Sequence, residues 1–166
     1  MARVQPVIDQ VMRCTGVRSW LLVFSANVKF TGLLSARRLA AVFEKADVGL
    51  AAYSPNAPQG IPNKIIEYSC AGLAIISSLE GECERLLSES GIGVSYKACD
   101  SKALVSALSK WDADRTHLAG SRTRSRALYE ERFSAEKVFS AMAGHVETIA
   151  RSTRGSRLVA GQMEIP

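Results

Sequence analysis

The chain has 166 residues, 47% of them hydrophobic and 22% charged, with a formal net charge of +5. This length suffices for one domain with a real core and excludes two ordinary ones. No secretory signal or membrane span is expected, because the early apolar run Leu21-Leu22-Val23-Phe24 is far too short for either.

Residues 1–26 are the least defined part. Val4, Val7, Ile8, Val11 and Met12 follow helical spacing, and the run at Leu21 fits a strand or a buried turn. From Asn27 the pattern sharpens. Val28-Lys29-Phe30 alternates as a strand does, and Gly32 closes it. Ser35 is a suitable N-cap for a helix with Leu39, Val42, Phe43 and Ala46 on one face. Asp47 reads as a turn residue, since the acidic companions of a phospho-acceptor site are absent. Val48-Gly49-Leu50-Ala51-Ala52 is the next apolar strand.

A Pro/Gly/Asn-rich loop from Ser54 to Gly60 then enters a short helix. Pro62 has the fixed φ suited to a first helical turn, and Gly72 can take the left-handed conformation just past the helix end. Leu73 to Ile76 is unbroken apolar sequence, as expected of a strand covered on both faces. Loop, helix N-terminus and buried strand are the parts of a phosphate-binding α/β crevice.

Beyond it, Cys83, Leu86 and Leu87 mark a helix, Gly93-Val94-Ser95-Tyr96 a short strand, and Asp100 caps a helix with the stripe Leu104, Ala107, Leu108, Trp111. Two more helices are expected, roughly 115–132 and 134–150, the last with Phe139, Met142, Ala143, Val146 and Ala150 at core spacing. Residues 151–166 lack a sustained apolar pattern and read as a flexible tail. Alternation of strands and helices over residues 27–111 argues for an α/β, Rossmann-like, mainly parallel sheet flanked by helices, with right-handed crossovers. The domain is placed at 27–150.

Cys14, Cys70, Cys83 and Cys99 show no paired short spacing, and with His117 and His145 they form no local zinc signature. Reduced cysteines in a cytoplasmic protein are expected, with Cys70 and Cys83 as small buried hydrophobes. Arg115, Arg122, Arg124, Arg126 and Arg132, with Arg151, Arg154 and Arg157, form a basic C-terminal region. It reads as a solvated helix surface, with a peripheral membrane contact at the inner face as the alternative; no aromatic residues interleave, so no nucleic-acid partner is expected. A Gly-x-Ser-x-Gly elbow, a Walker loop and a Gly-x-Gly-x-x-Gly fingerprint are all absent.

The stretch from Gln59 to Ser77 resembles the donor-binding segment of retaining glycosyltransferases of the GT-B fold, group 1. That family carries a Glu, a Gly-containing loop, a second Glu eight positions later, a small-residue helix end and an apolar strand. Glu67 falls on the second Glu, Gly60 lies in the loop, Ala71-Gly72 form the helix end, and Gln59 stands where the first Glu would be. The Pro62-Asn63-Lys64 variant is similar to a subgroup that builds bacterial surface polysaccharides. The resemblance spans about 27–133, the later part of the family's C-terminal half, so a fragment is expected and the chain alone is expected to be inactive.

It implies a nucleotide-diphospho-sugar as donor substrate, with no cofactor and no metal. A separate N-terminal domain would bring the acceptor and a catalytic contribution. Glu67 would accept both ribose hydroxyls, Ile61 and Asn63 would offer backbone N–H groups to the diphosphate, and Lys64 a point charge. Gln59 and Gly60 complete the donor-binding set. Gln59 can hydrogen-bond sugar hydroxyls but cannot act as a base. Transfer would proceed on the donor's front face, with the leaving diphosphate deprotonating the acceptor, so no protein nucleophile is assigned. The alternatives are a non-catalytic nucleotide-sugar-binding module or remnant, and a basic membrane- or partner-associated scaffold.

Overall fold

The computed structural model describes residues 31–160, and the side chains of residues 31–152. The expected strand at Val28-Lys29-Phe30 and everything expected of residues 1–26 lie outside them. The chain divides into two compact units, the first ending at Tyr129 and the second beginning at Glu130.

In the first unit the described elements run α1 (Ala36–Phe43), β1 (Val48–Ala51), α2 (Asn63–Cys70), β2 (Ala74–Ser77), α3 (Glu82–Glu89), β3 (Gly93–Ser95), α4 (Ser101–Ala113) and α5 (Arg115–Leu128). The three strands form a parallel sheet in the order β1-β2-β3. Val48 stands beside Ala74 and Ala51 beside Ser77, while Ile75 stands beside Gly93 and Ser77 beside Ser95. This is a Rossmann-like arrangement with helices against the sheet.

Every residue of β2 is buried, which is why this segment shows no alternation. Side chains two apart share a face, so Ala74 and Ile76 meet Trp111 of α4 and Leu118 of α5, while Ile75 faces the other way. Leu104, Ala107 and Leu108 pack against the first cluster, as the α4 stripe predicts. Asp100 caps α4 by accepting from the Ala103 N–H at 2.9 Å. Gly72 has φ +65°, the left-handed turn that ends α2 and starts β2. Pro62 departs from expectation: at ψ 157° it is the extended N-cap of α2 rather than a residue of its first turn.

The arginines of α5 are not a merely solvated surface. The Arg122 guanidinium reaches Asp47 Oδ1 at 2.9 Å and donates from Nε to the Gly72 carbonyl at 3.1 Å. Arg115 meets Asp47 Oδ2 at 3.0 Å, Arg124 Nε donates to the Gly91 carbonyl at 2.9 Å, and Arg126 donates to the Cys70 carbonyl. Asp47, Gly72 and Gly91 immediately precede β1, β2 and β3 or lie within two residues of them. The helix is therefore laced across the N-terminal edge of the sheet. Its Ser121 and Ser125 are buried, and the small Ser125 side chain lies against Ser69 of α2.

The single helix expected over 115–132 ends at Leu128 and passes into one π-helical turn, Tyr129–Phe133. In the second unit α6 runs Ala135–Ala160, so helix covers residues 151–160, where a tail is expected. Phe139, Met142 and Val146, expected as a core face, are exposed together with Val138 and Ile149. Apolar spacing reports an amphipathic helix; it does not report what covers it. No described helix is long and apolar enough to cross a membrane.

Candidate functional site at the carboxyl edge of the sheet

Because the strands are parallel, Ala51, Ser77 and Ser95 end at one edge, opposite the arginine-laced edge. Two serines hold this edge together where the ladder stops. Ser77 Oγ donates to the Ala51 carbonyl at 3.2 Å and accepts from the Leu79 N–H at 3.1 Å. Ser78 Oγ donates to the Tyr53 carbonyl at 3.0 Å and accepts from the Tyr53 N–H at 2.7 Å. The loop after β1 thus leaves the sheet from a clamped start.

That loop, residues 52–62, delivers α2 with its N-terminus at this edge. No side chain caps it. The first N–H groups of any helix lack intrahelical acceptors and carry the positive end of its dipole. Of the two backbone donors expected, Asn63 belongs to the first turn, whereas Ile61 precedes the helix.

Lys64 and Glu67 are three apart on α2 and so share one face. Lys64 Nζ lies 5.9 Å from the centre of the Tyr53 ring. Burial, then the charges of Cys83 and Glu67, push the Tyr53 phenol up from its ordinary range. Tyr53 therefore stands against the face that bears both ionic groups. Glu67 itself is exposed, as are Gln59, Gly60 and Asn63, while Ile61 and Lys64 are half-buried.

Gly60 has a neighbour that the sequence does not announce. A Cβ at this position would lie 2.6 Å from Glu82 Oε2, at the start of α3. The missing side chain lets a carboxylate rest on the loop. Glu67 also lies on the rim of a groove of about 610 Å³ between α1 and α2, whose apolar walls include Leu39, Phe43 and Ile66. A second cleft, about 680 Å³ beside β3, contains none of the predicted residues.

Tyr53, Ser78 and Glu82 are the members of this edge that sequence reasoning missed. For the serine there was a signal: a polar pair, Ser77-Ser78, directly after a fully apolar run marks the point where a buried strand ends and side-chain hydroxyls take over its hydrogen bonds. Cys83 is buried, as expected, with its thiol 3.8 Å from Ser77 Oγ. Cys70 is only half-buried, and it sits under Arg126.

The family model of glycosyl transferases group 1 matches residues 12–114. No curated protein matches the chain. Among solved structures, the Anabaena protein Alr3699/HepE in complex with UDP-glucose superposes with a TM-score of 0.65 at 19% identity, covering 78% of this chain and 34% of its own. HepE in complex with UDP alone gives 0.66 over the same shares. Sucrose-phosphate synthase from Thermosynechococcus elongatus gives 0.69 at 19% identity, covering 80% of this chain and 33% of its own. The likeness is one of fold, that of GT-B glycosyltransferases, and this chain spans about a third of the length of those proteins. With the family match extending over more than half of its residues, the chain belongs to the glycosyl transferases group 1 family.

Proposed function

We propose that the chain is the donor-binding part of a glycosyltransferase acting on a nucleotide-diphospho-sugar, completed by a separate acceptor-binding domain, in the synthesis of cell-surface polysaccharide or glycoconjugate. The observation that carries this reading is the pairing of Lys64 and Glu67 on one face of α2, beside an uncapped helix N-terminus at the carboxyl edge of a parallel sheet. Three residues along a helix advance about 4.5 Å, one step from a diphosphate to the adjoining ribose. The ammonium and first-turn N–H groups suit the diphosphate, and the carboxylate suits two vicinal hydroxyls. In this reading Gln59 and Gly60, in the loop before the helix, face the sugar. The UDP and UDP-glucose in the HepE complexes belong to the ligand class that this reading assigns to the edge.

In the transfer, the bond from the anomeric carbon to the diphosphate oxygen breaks and a bond to the acceptor oxygen forms on the same face. The acceptor proton passes to the leaving diphosphate. Lys64 and the α2 N-terminus stabilise the charge that develops there. The second reading, a binding module without turnover, is favoured by Gln59, which offers an amide where a carboxylate would otherwise face the sugar. Nucleotide binding without transfer, even with an acceptor domain supplied, would select it. A membrane role for α5 has less support, because Arg122, Arg124 and Arg126 donate to backbone carbonyls of their own unit.

Calorimetric titration tests the donor site. Glu67→Ala is expected to weaken nucleotide-sugar binding by about ten- to a hundredfold, and Glu67→Gln by less. A 2′-deoxy nucleotide should bind the parent poorly and lose little more against Glu67→Ala. Equal affinity of the parent for ribo- and deoxyribonucleotides would remove Glu67 from the site.

A further inference from the structure

We propose that Tyr53 is a positioning residue for the donor diphosphate, holding the Lys64 ammonium in place at the α2 N-terminus. The inference rests on the donor-binding reading above and adds a residue and a role to it.

The tyrosine is itself fixed. One hydroxyl, Ser78 Oγ, bonds both its N–H and its carbonyl, at 2.7 and 3.0 Å, tying it to the end of β2. The half-buried ring has restricted freedom, and Lys64 Nζ lies 5.9 Å from its centre, within cation–π range. A lysine in a first helical turn otherwise sweeps a wide volume on its flexible stem. The ring face holds the ammonium beside the α2 N-terminus, where its charge adds to the positive end of the helix dipole. Less side-chain freedom then remains to be lost when an anion arrives.

The ring must also stay neutral, because a phenolate there would repel both Glu67 and a diphosphate. An ordinary phenol is already protonated at neutral pH, and burial pushes this one further up. Tyr53 thus serves the cation and tolerates the carboxylate that share its side of α2.

The test titrates the chain with UDP, ADP and GDP and carries the tightest forward. Tyr53→Leu is expected to weaken that nucleoside diphosphate about fivefold, Tyr53→Phe to leave it within about twofold, and Lys64→Met to weaken it more. In the Lys64→Met background, Tyr53→Leu should cost nothing further. Should Tyr53→Leu fail to fold, pentafluorophenylalanine at position 53 keeps the ring and removes its negative face, and should reproduce the loss that Phe does not show. Parent affinity in Tyr53→Leu, an equal loss in both backgrounds, or equal binding by the Phe and pentafluorophenylalanine chains overturns the inference while leaving the donor site standing. A parent chain that binds none of the three diphosphates overturns the donor reading, and this inference with it.

Discussion

Arg122 of α5 grips Asp47 at 2.9 Å, across 75 residues of sequence, with side chains only 35% and 20% exposed. The same guanidinium donates to the Gly72 carbonyl, so one side chain joins the approach to β1 with the start of β2. Removing Asp47 strips the pairing charge from Arg122 and from Arg115, which is 50% exposed and contributes less. Asp47→Ala is expected to lower stability by about 1–2 kcal/mol, and Asp47→Asn by less, because the amide oxygen still accepts. Urea unfolding of the three proteins decides this. A loss unaltered by 1 M salt would show that screening does not act on the pair.

Arg124 and Arg126 lace helix α5 to backbone carbonyls at the edge of the sheet remote from α2's N-terminus. Arg124→Gln and Arg126→Gln are each expected to lower stability by about 1 kcal/mol, through a weakened or lost hydrogen bond. Nucleotide affinity should stay within twofold of the parent, about the limit of a comparison by titration. Loss of most binding in either folded variant would move the donor site to the wrong edge. Paired unfolding and calorimetry experiments read both effects.

Gly93 opens β3 where a methyl group would overlap the carbonyl oxygen of Ile75 in the neighbouring strand. A backbone oxygen in the sheet cannot swing aside as a side chain can. Gly93→Ala is therefore expected to cost about 2–3 kcal/mol or more, comparable to overpacking a core. At Gly81, where nothing lies within 4 Å of a new Cβ, the penalty to Ala is the backbone alone, φ +73° with ψ −121°, and the loss should be about 1–2 kcal/mol. Thermal melting of the two variants should rank them in that order.

Tyr68 is buried, with its hydroxyl donating to the Leu50 carbonyl at 3.2 Å, and burial, then Glu67 and Tyr53, push its phenol up to about 12. The folded state holds this proton more tightly than the unfolded chain, whose tyrosine titrates near 10. The contribution is fully present below pH 10 and is lost as the pH rises through 12. Its size is on the order of 2 kcal/mol. Tyr68→Phe should remove this part of the alkaline decline, though it loses the hydrogen bond and is less stable at neutral pH. Urea midpoints followed from pH 7 to 12 measure both. A parallel decline in parent and variant would contradict the buried-phenol account.

The elements that sequence alone determined are those whose signals are local. The buried run at Leu73–Ile76, the left-handed Gly72, the Asp100 cap and the α4 stripe all follow from the fit between a residue's own chemistry and a backbone period, and each is found in place. The loop and helix that carry Gln59, Gly60, Asn63, Lys64 and Glu67 were legible for the same reason, helped by a family pattern. What only the tertiary structure decided concerns partners distant along the chain. The arginines of α5 look alike in sequence, yet Arg122, Arg124 and Arg126 end on Gly72, Gly91 and Cys70 because the helix crosses the amino edge of the sheet. Tyr53 meets Lys64, and Glu82 meets Gly60, only once β1, α2 and α3 converge at the opposite edge. The apolar stripe of α6 shows the limit from the other side: its spacing is that of a buried face, yet Phe139 and Val146 stand exposed. Periodicity fixes which residues share a face, whereas cover comes from a surface elsewhere, about which a local pattern carries no information.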